Sequence, residues 1–146
     1  MSSRHLSRTI VLQSLYVWDF HGCSREVLKK ALRYNIQQFA GGLVDLSFVK
    51  ALISSILKNQ RAIDDLIKKY AALWPLDKLT LIDRNVLRIA IAELNYFSNV
   101  PQKAAIDQAI ELAKNFGGES SAKFISGVLG TYFDDLHRPK IINNEQ

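Results

Sequence analysis

The stretch Thr80–Leu94, TLIDRNVLRIAIAEL, constrains this chain more than any other. Wound as a helix, Leu81, Ile82, Val86, Leu87, Ile89, Ala90, Ile91, Ala92 and Leu94 place apolar groups on nearly every side. A helix apolar all round lies either at the centre of a bundle or in a membrane. Asp83, Arg84, Asn85, Arg88 and Glu93 interrupt the run, so it falls short of the roughly 20 apolar residues that a bilayer span requires. The stretch therefore predicts the central helix of a soluble all-α domain. Thr80 followed by Asp83 resembles a capping box, with Asp a shorter partner than the usual Glu or Gln. Arg84 and Arg88 are one turn apart and share a stripe. Burying them unpaired would be costly, so that stripe is expected to face water or an acidic neighbour.

The remaining residues can surround such a helix. The chain has 146 residues, 48% of them hydrophobic and 23% charged, which suits one compact domain with a sizeable core and excludes a disordered chain. A single cysteine, Cys23, forms no internal disulfide and points to a reducing compartment. The net charge is +5, and its distribution is uneven. Residues 1–33 carry six cations against two acids, whereas the rest carries thirteen against twelve. A basic end on a near-neutral body suits a polyanion-binding surface, and equally a solvated helix face. Met1–Trp18, with two arginines and no acid, also has the composition of a transit peptide. Its apolar positions are too numerous to leave unburied, so it is read as a folded first helix.

Periodicity predicts seven helices. The first runs from about Ser3 to Phe20, ended by His21-Gly22, with Arg4 and Arg8 at i, i+4 and Tyr16 on a stripe with His5. The second starts after Ser24 and reaches about Gln38, with Lys29, Lys30 and Arg33 outward. Gly41-Gly42 is expected to form a flexible turn. The third covers about Leu46–Leu57, and Asn59-Gln60 marks a break before the fourth, where Asp64 and Asp65 precede Lys68 and Lys69 by one turn. Trp74-Pro75 is expected to stop the fourth helix. The central helix is the fifth. The sixth runs from near Pro101 to about Phe116, closed by Gly117-Gly118, and the seventh from about Glu119–Ser121 to near Leu136. A single domain over 1–138 with a polar tail over 139–146 follows.

Catalysis finds no foothold in this pattern. His5, His21 and His137 are far apart, and a lone cysteine cannot complete a typical zinc set, so no metal ligand and no cofactor is expected. Asp64-Asp65 and Asp134-Asp135 are adjacent, so their side chains diverge on a helix and read as solvated surface carboxylates. The glycine pairs lack the spacing of a phosphate loop. No catalytic residue is assigned, and the chain is expected not to be an enzyme. Binding has more support. The start of the seventh helix offers free N–H groups and a positive dipole end. Lys123 and Phe124 lie just inside it. Each has a plain reading, a surface lysine and a core aromatic, beside a functional one, a phosphate contact and a ring that stacks on an unpaired base.

Four segments together carry a resemblance: LQSLYVW (Leu12–Trp18), DRNVLRIAIAEL (Asp83–Leu94), PQKAAIDQAIELAKNFG (Pro101–Gly117) and SAKFISGVL (Ser121–Leu129). In order and spacing they resemble the NusB family of transcription antitermination factors. The resemblance implies an all-α, seven-helix NusB-like fold with two three-helix subdomains about a central helix. It implies a non-enzymatic cytoplasmic factor that binds single-stranded boxA-like RNA with the ribosomal protein NusE. Together they help the transcription elongation complex read through terminators, notably in rRNA operons. It implies RNA contacts at Arg4, His5, Arg8, Tyr16, Lys123 and Phe124, and a partner contact at Asp83. Within the family's arginine-rich start, His5 and Leu6 depart from the pattern. Ser126 stands where the family has Asn, and Ser120 where it often has an acid. Some relatives pair as homodimers and others do not, and no residue here decides between them. Two other readings stand beside this one: an RNA-binding domain like that of rRNA cytosine methyltransferases, and a helical protein-interaction module without RNA. The first helix and the start of the seventh must be close in space if they share one RNA surface.

Overall fold

The computed structural model describes residues 3–39, 44–72 and 79–139. Among the described residues there are seven α-helices: α1 (Ser3–Phe20), α2 (Arg25–Gln38), α3 (Leu46–Lys58), α4 (Gln60–Tyr70), α5 (Leu81–Tyr96), α6 (Gln102–Gly117) and α7 (Glu119–His137). Among the described residues there is no strand, and no helix is long and apolar enough to cross a membrane. The expectations for Gly41-Gly42, for Trp74-Pro75 and for most of the tail fall outside the described residues.

Helix α5 is the hub. It packs against α1, α3, α4, α6 and α7, while α2 packs on α1, and α6 and α7 pack on each other. From Asn85 to Glu93 every residue is buried, whichever way it points. The apolar members join a core with Ile10, Leu15, Trp18, Leu52, Ile63 and Leu112. The same wrapping buries Arg88 and Glu93, and an uncompensated buried charge is expensive. Each has been given a partner of opposite sign. Arg8 on α1 donates from Nε and Nη2 to the two oxygens of Glu93 at 2.8 and 2.7 Å. Arg88 donates to Asp64 on α4 at 2.8 and 3.0 Å and to Asp19 on α1 at 2.9 Å. Arg84 forks onto the same Asp19 at 2.8 and 2.7 Å, and Asn85 adds a third donor at 3.0 Å. These pairs tie α1 and α4 to α5 in one register, with α1 antiparallel to α5.

Burial opposes ionisation of Asp19, but the Arg84 hydrogen bond, the Arg88 charge and the Asn85 bond outweigh it and hold the carboxyl below its ordinary range. Burial likewise opposes the Arg88 charge, and Asp64 with Asp19 more than restores it. The stripe of Arg84 and Arg88 thus faces acids rather than water. Asp64 corrects an expectation. It is no solvated surface carboxylate but the partner of Arg88, because α4 lies against α5 and points it inward. Asp135 is also engaged, accepting from the Tyr70 hydroxyl at 2.7 Å and pairing with Arg138 at 2.7 Å.

Local signals set the helix ends. Ser24 Oγ accepts from Val27 N, Asp45 Oδ1 from Phe48 N, and Thr80 Oγ1 from Asp83 N. At the end of α1, Cys23 N reaches Trp18 O and Gly22 N reaches Asp19 O, a closure that needs a positive φ at Gly22 (72°). Cys23 follows at φ 64°. Burial pushes its thiol pKa up, and the nearby Asp19 charge adds to that, which suits a packed thiol rather than a nucleophile.

Candidate nucleic-acid interface

The α6–α7 junction shapes the surface. Helix α6 ends at Gly117, and Gly118 alone, at φ 92°, separates it from α7. A Cβ on Gly117 would stand 2.8 Å from that of Ser121, overlap its hydroxyl and touch Ile82. The glycine therefore lets the first turn of α7 lie directly against the end of α6 and the start of α5. No side chain caps α7, so its first N–H groups stay open at the positive end of a 19-residue helix.

Three adjoining clefts run across this junction. The first, about 470 Å³, lies between Tyr16 and Gln13 of α1 and Ile82 and Phe116. The second, about 390 Å³, takes the next residue on each side, Asp83 and Gly117, with Thr80, Ser120, Ser121 and Phe124. The third, about 270 Å³, shares Phe124 and adds Lys123, Gly127 and Tyr70. Tyr16, Asp83, Phe124 and Lys123 therefore stand along one track, with the C-terminal half of α1 at one end and the first turns of α7 at the other.

The chemistry along the track is mixed. Tyr16 is 40% exposed and Phe116 39%, so both show ring surface to solvent. Phe124 is half-buried, packed on the core by one side while lining two clefts by the other. Its core contact matches the plain reading, and the cleft-lining face leaves ring surface available. Lys123 is exposed and forms no ion pair among the described residues. Asp83 is 8% exposed, and its Oδ1 is buried with no hydrogen-bond partner among the described residues. The capping box is thus half formed: Thr80 accepts from Asp83 N, and the carboxylate returns nothing. An acceptor oxygen, open N–H groups, a cation and exposed rings are the groups that engage unpaired nucleotides.

The basic end of α1 is used differently. Arg8 is 4% exposed and spent on Glu93, so it corrects the expectation of a surface RNA contact. The cause is Glu93, which the all-round burial of α5 forces to find a cation. Arg4 is partly exposed, with its guanidinium 4.5 Å from the Phe48 ring centroid and 3.8 Å from the Asp45 carboxylate. His5 Nδ1 bonds Gln108 Oε1 of α6 at 2.8 Å. His5 and Tyr16 share the α6-facing edge of α1, eleven residues or about 16 Å apart along its axis. The structure thus brings four of the seven expected residues onto one track, places His5 and Arg4 beyond its end, and buries Arg8. Phe116 and Ile82 were missed. An aromatic directly before Gly117-Gly118, at a helix end rather than on an apolar stripe, was the available signal for Phe116.

Similarity to known proteins identifies the family. The NusB family model matches residues 5–134. The chain is 44% identical over 131 residues to the transcription antitermination protein NusB of Dehalococcoides mccartyi (strain CBDB1), covering 89% of each chain. It superimposes on the solved structure of T. maritima NusB with a TM-score of 0.78 at 33% identity, over 90% of this chain and 91% of that one. A solved complex of the antitermination factors NusB and NusE with double-stranded RNA has a component of the same fold, with a TM-score of 0.80 at 23% identity over 91% of this chain and 97% of that one. A match that spans the hub helix and all seven helices assigns the chain to the NusB family.

Proposed function

We propose that the chain is a non-catalytic transcription antitermination factor that acts in the cytoplasm. It holds single-stranded, boxA-type RNA along the Tyr16–Asp83–Phe124–Lys123 track, together with a NusE-type ribosomal protein. The observation that carries this reading is the continuity of that track across two elements far apart in sequence, on a family fold that in a solved relative accompanies NusE and RNA. Phosphates face Lys123 and the open start of α7, unpaired bases lie on Phe124 and Tyr16, and the Asp83 carboxylate, where it lines the middle cleft, accepts from a base amino group or a partner N–H. With Arg8 internal and Arg4 engaged at Asp45 and Phe48, Lys123 is the cation that the described residues of the track offer to the backbone. The ribosomal partner must then supply much of the affinity.

The deciding experiment titrates labelled boxA-type RNA with the chain alone, with NusE, and with the Phe124→Ala variant. Binding is expected to be strengthened on the order of tenfold or more by NusE, and weakened by about five- to a hundredfold in Phe124→Ala from loss of about 1–3 kcal/mol of stacking, measured where the variant, which also loses a core-packed ring, is still folded. Affinity indifferent to NusE would instead mark a domain of the methyltransferase type. Absence of RNA binding even with NusE would leave only a protein-interaction module.

A further inference from the structure

The cations of α2 are not on the track. Arg25, Lys29 and Arg33 recur at i, i+4 and i+8, exposed along one edge of α2. Lys50 and Lys58 of α3 stand across from them, also exposed. Between the two rows lies a groove of about 690 Å³, left because α2 and α3 both pack on α1. Its floor is Leu32, Ile36, Val49, Ile53 and Leu57. Among the described residues of the lining, Ser54 is the one uncharged polar residue and none is a carboxylate. Among the described residues none of the five cations forms an ion pair.

We propose that this groove docks an acidic amphipathic helix of a partner protein. Two rows of like charge repel each other across a gap and cannot neutralise one another, and the described lining supplies no opposite charge, so the groove is complementary to an acidic ligand. The aliphatic floor asks for an apolar stripe, and the two rims ask for acids on both flanks of that stripe. A helix with apolar residues at i, i+3, i+4 and i+7 and Glu or Asp beside them meets both requirements. The lined part of α2, Arg25 to Ile36, is about 16 Å long, enough for three turns of a ligand helix. Nucleic acid fits less well. The floor offers no ring for a base to stack on and only one uncharged polar side chain to read a base edge. The groove shares no residue with the clefts of the track, so the two ligands bind independently.

The test uses the full chain and a fluorescein-labelled, amidated peptide of about 12 residues, with Leu at helical spacing and Glu on both flanks. The control has the same composition scrambled so that no apolar stripe forms. The patterned peptide is expected to bind in the micromolar range, more weakly as salt rises, and on the order of tenfold more tightly than the control. Lys29→Glu with Lys50→Glu should weaken it by a similar factor while leaving the thermal melt and the affinity for boxA-type RNA unchanged. If that pair lowers the melt, Arg33→Glu with Lys58→Glu replaces it. Equal binding of the two peptides would reduce the groove to bulk charge and overturn the proposal. So would parental peptide affinity in the reversed variant, loss of RNA binding in that variant, or a peptide that competes with self-association of the chain.

Discussion

Glu93 decides more about this protein than its single charge suggests. It sits on a helix buried on all sides, where an ionised carboxylate survives only with a well-aimed cation. Arg8 supplies that cation through a two-point fork, a geometry that a lysine cannot copy. The residue is therefore a structural tie, and Arg8→Ala should destabilise the fold by about 3–5 kcal/mol, the cost of leaving one buried charge alone. Replacing both partners, Arg8→Met with Glu93→Leu, should restore most of that loss in urea unfolding, because the pair itself adds little beyond well-packed apolar groups. RNA affinity of Arg8→Ala, taken where the protein is still folded, should stay near parental. A variant with an undisturbed urea midpoint and markedly weaker RNA binding would return Arg8 to the surface role. The sequence showed two arginines one turn apart, both implied by the family resemblance to contact RNA. It held the corrective clue too, since a glutamate inside the apolar run of α5 had to be matched from elsewhere. Pattern reading attends to residues near in sequence, and Glu93 lies 85 positions from its partner.

At the scale of elements, the helices were legible because their ends are written locally. Ser24, Asp45, Thr80 and the glycines at 22, 117 and 118 act within a few residues of themselves. Helix-to-helix matching is not local. Asp64 precedes Lys68 by one turn and was expected to pair along its own helix, yet it turns to Arg88 across the α4–α5 contact. A buried, forked pair outcompetes an exposed one that is worth only about 0.3–0.5 kcal/mol. The α6–α7 junction shows how one small residue positions the track. Gly117→Ala forces its new methyl into Ser121, backed by Ile82, so the start of α7 must shift away from α6. Unfolding in urea should show a loss of about 1–3 kcal/mol, as for other overpacked contacts. Because Lys123 and Phe124 ride on that turn, RNA affinity should fall as well. Parental values for both would mean that the close approach does not hold the track together.

Across the whole molecule, charge and track do not coincide. The net +5 and the basic first 33 residues suggested one polyanion surface near the N-terminus. In the fold the six cations of that segment part company: Arg8 is internal, Arg4 lies against α3, Arg25, Lys29 and Arg33 line a groove away from Tyr16 and Phe124, and Lys30 is exposed on α2 outside that lining. Linear charge counting could not see this, because a helix sends neighbouring residues to different faces. The division has a measurable consequence. Single-stranded RNA releases counterions with a slope of about −0.7 in log K against log salt for each phosphate neutralised. With Lys123 as the one exposed cation among the described residues lining the track, the chain without NusE should show a shallow slope, on the order of −1. Lys123→Ala should bring that slope close to zero, and the Lys29→Glu, Lys50→Glu pair should leave it unaltered. A slope several times steeper, insensitive to Lys123 but abolished by reversing the α2 and α3 cations, would mean that RNA lies in the α2–α3 groove, and the junction between α6 and α7 would lose its role in binding.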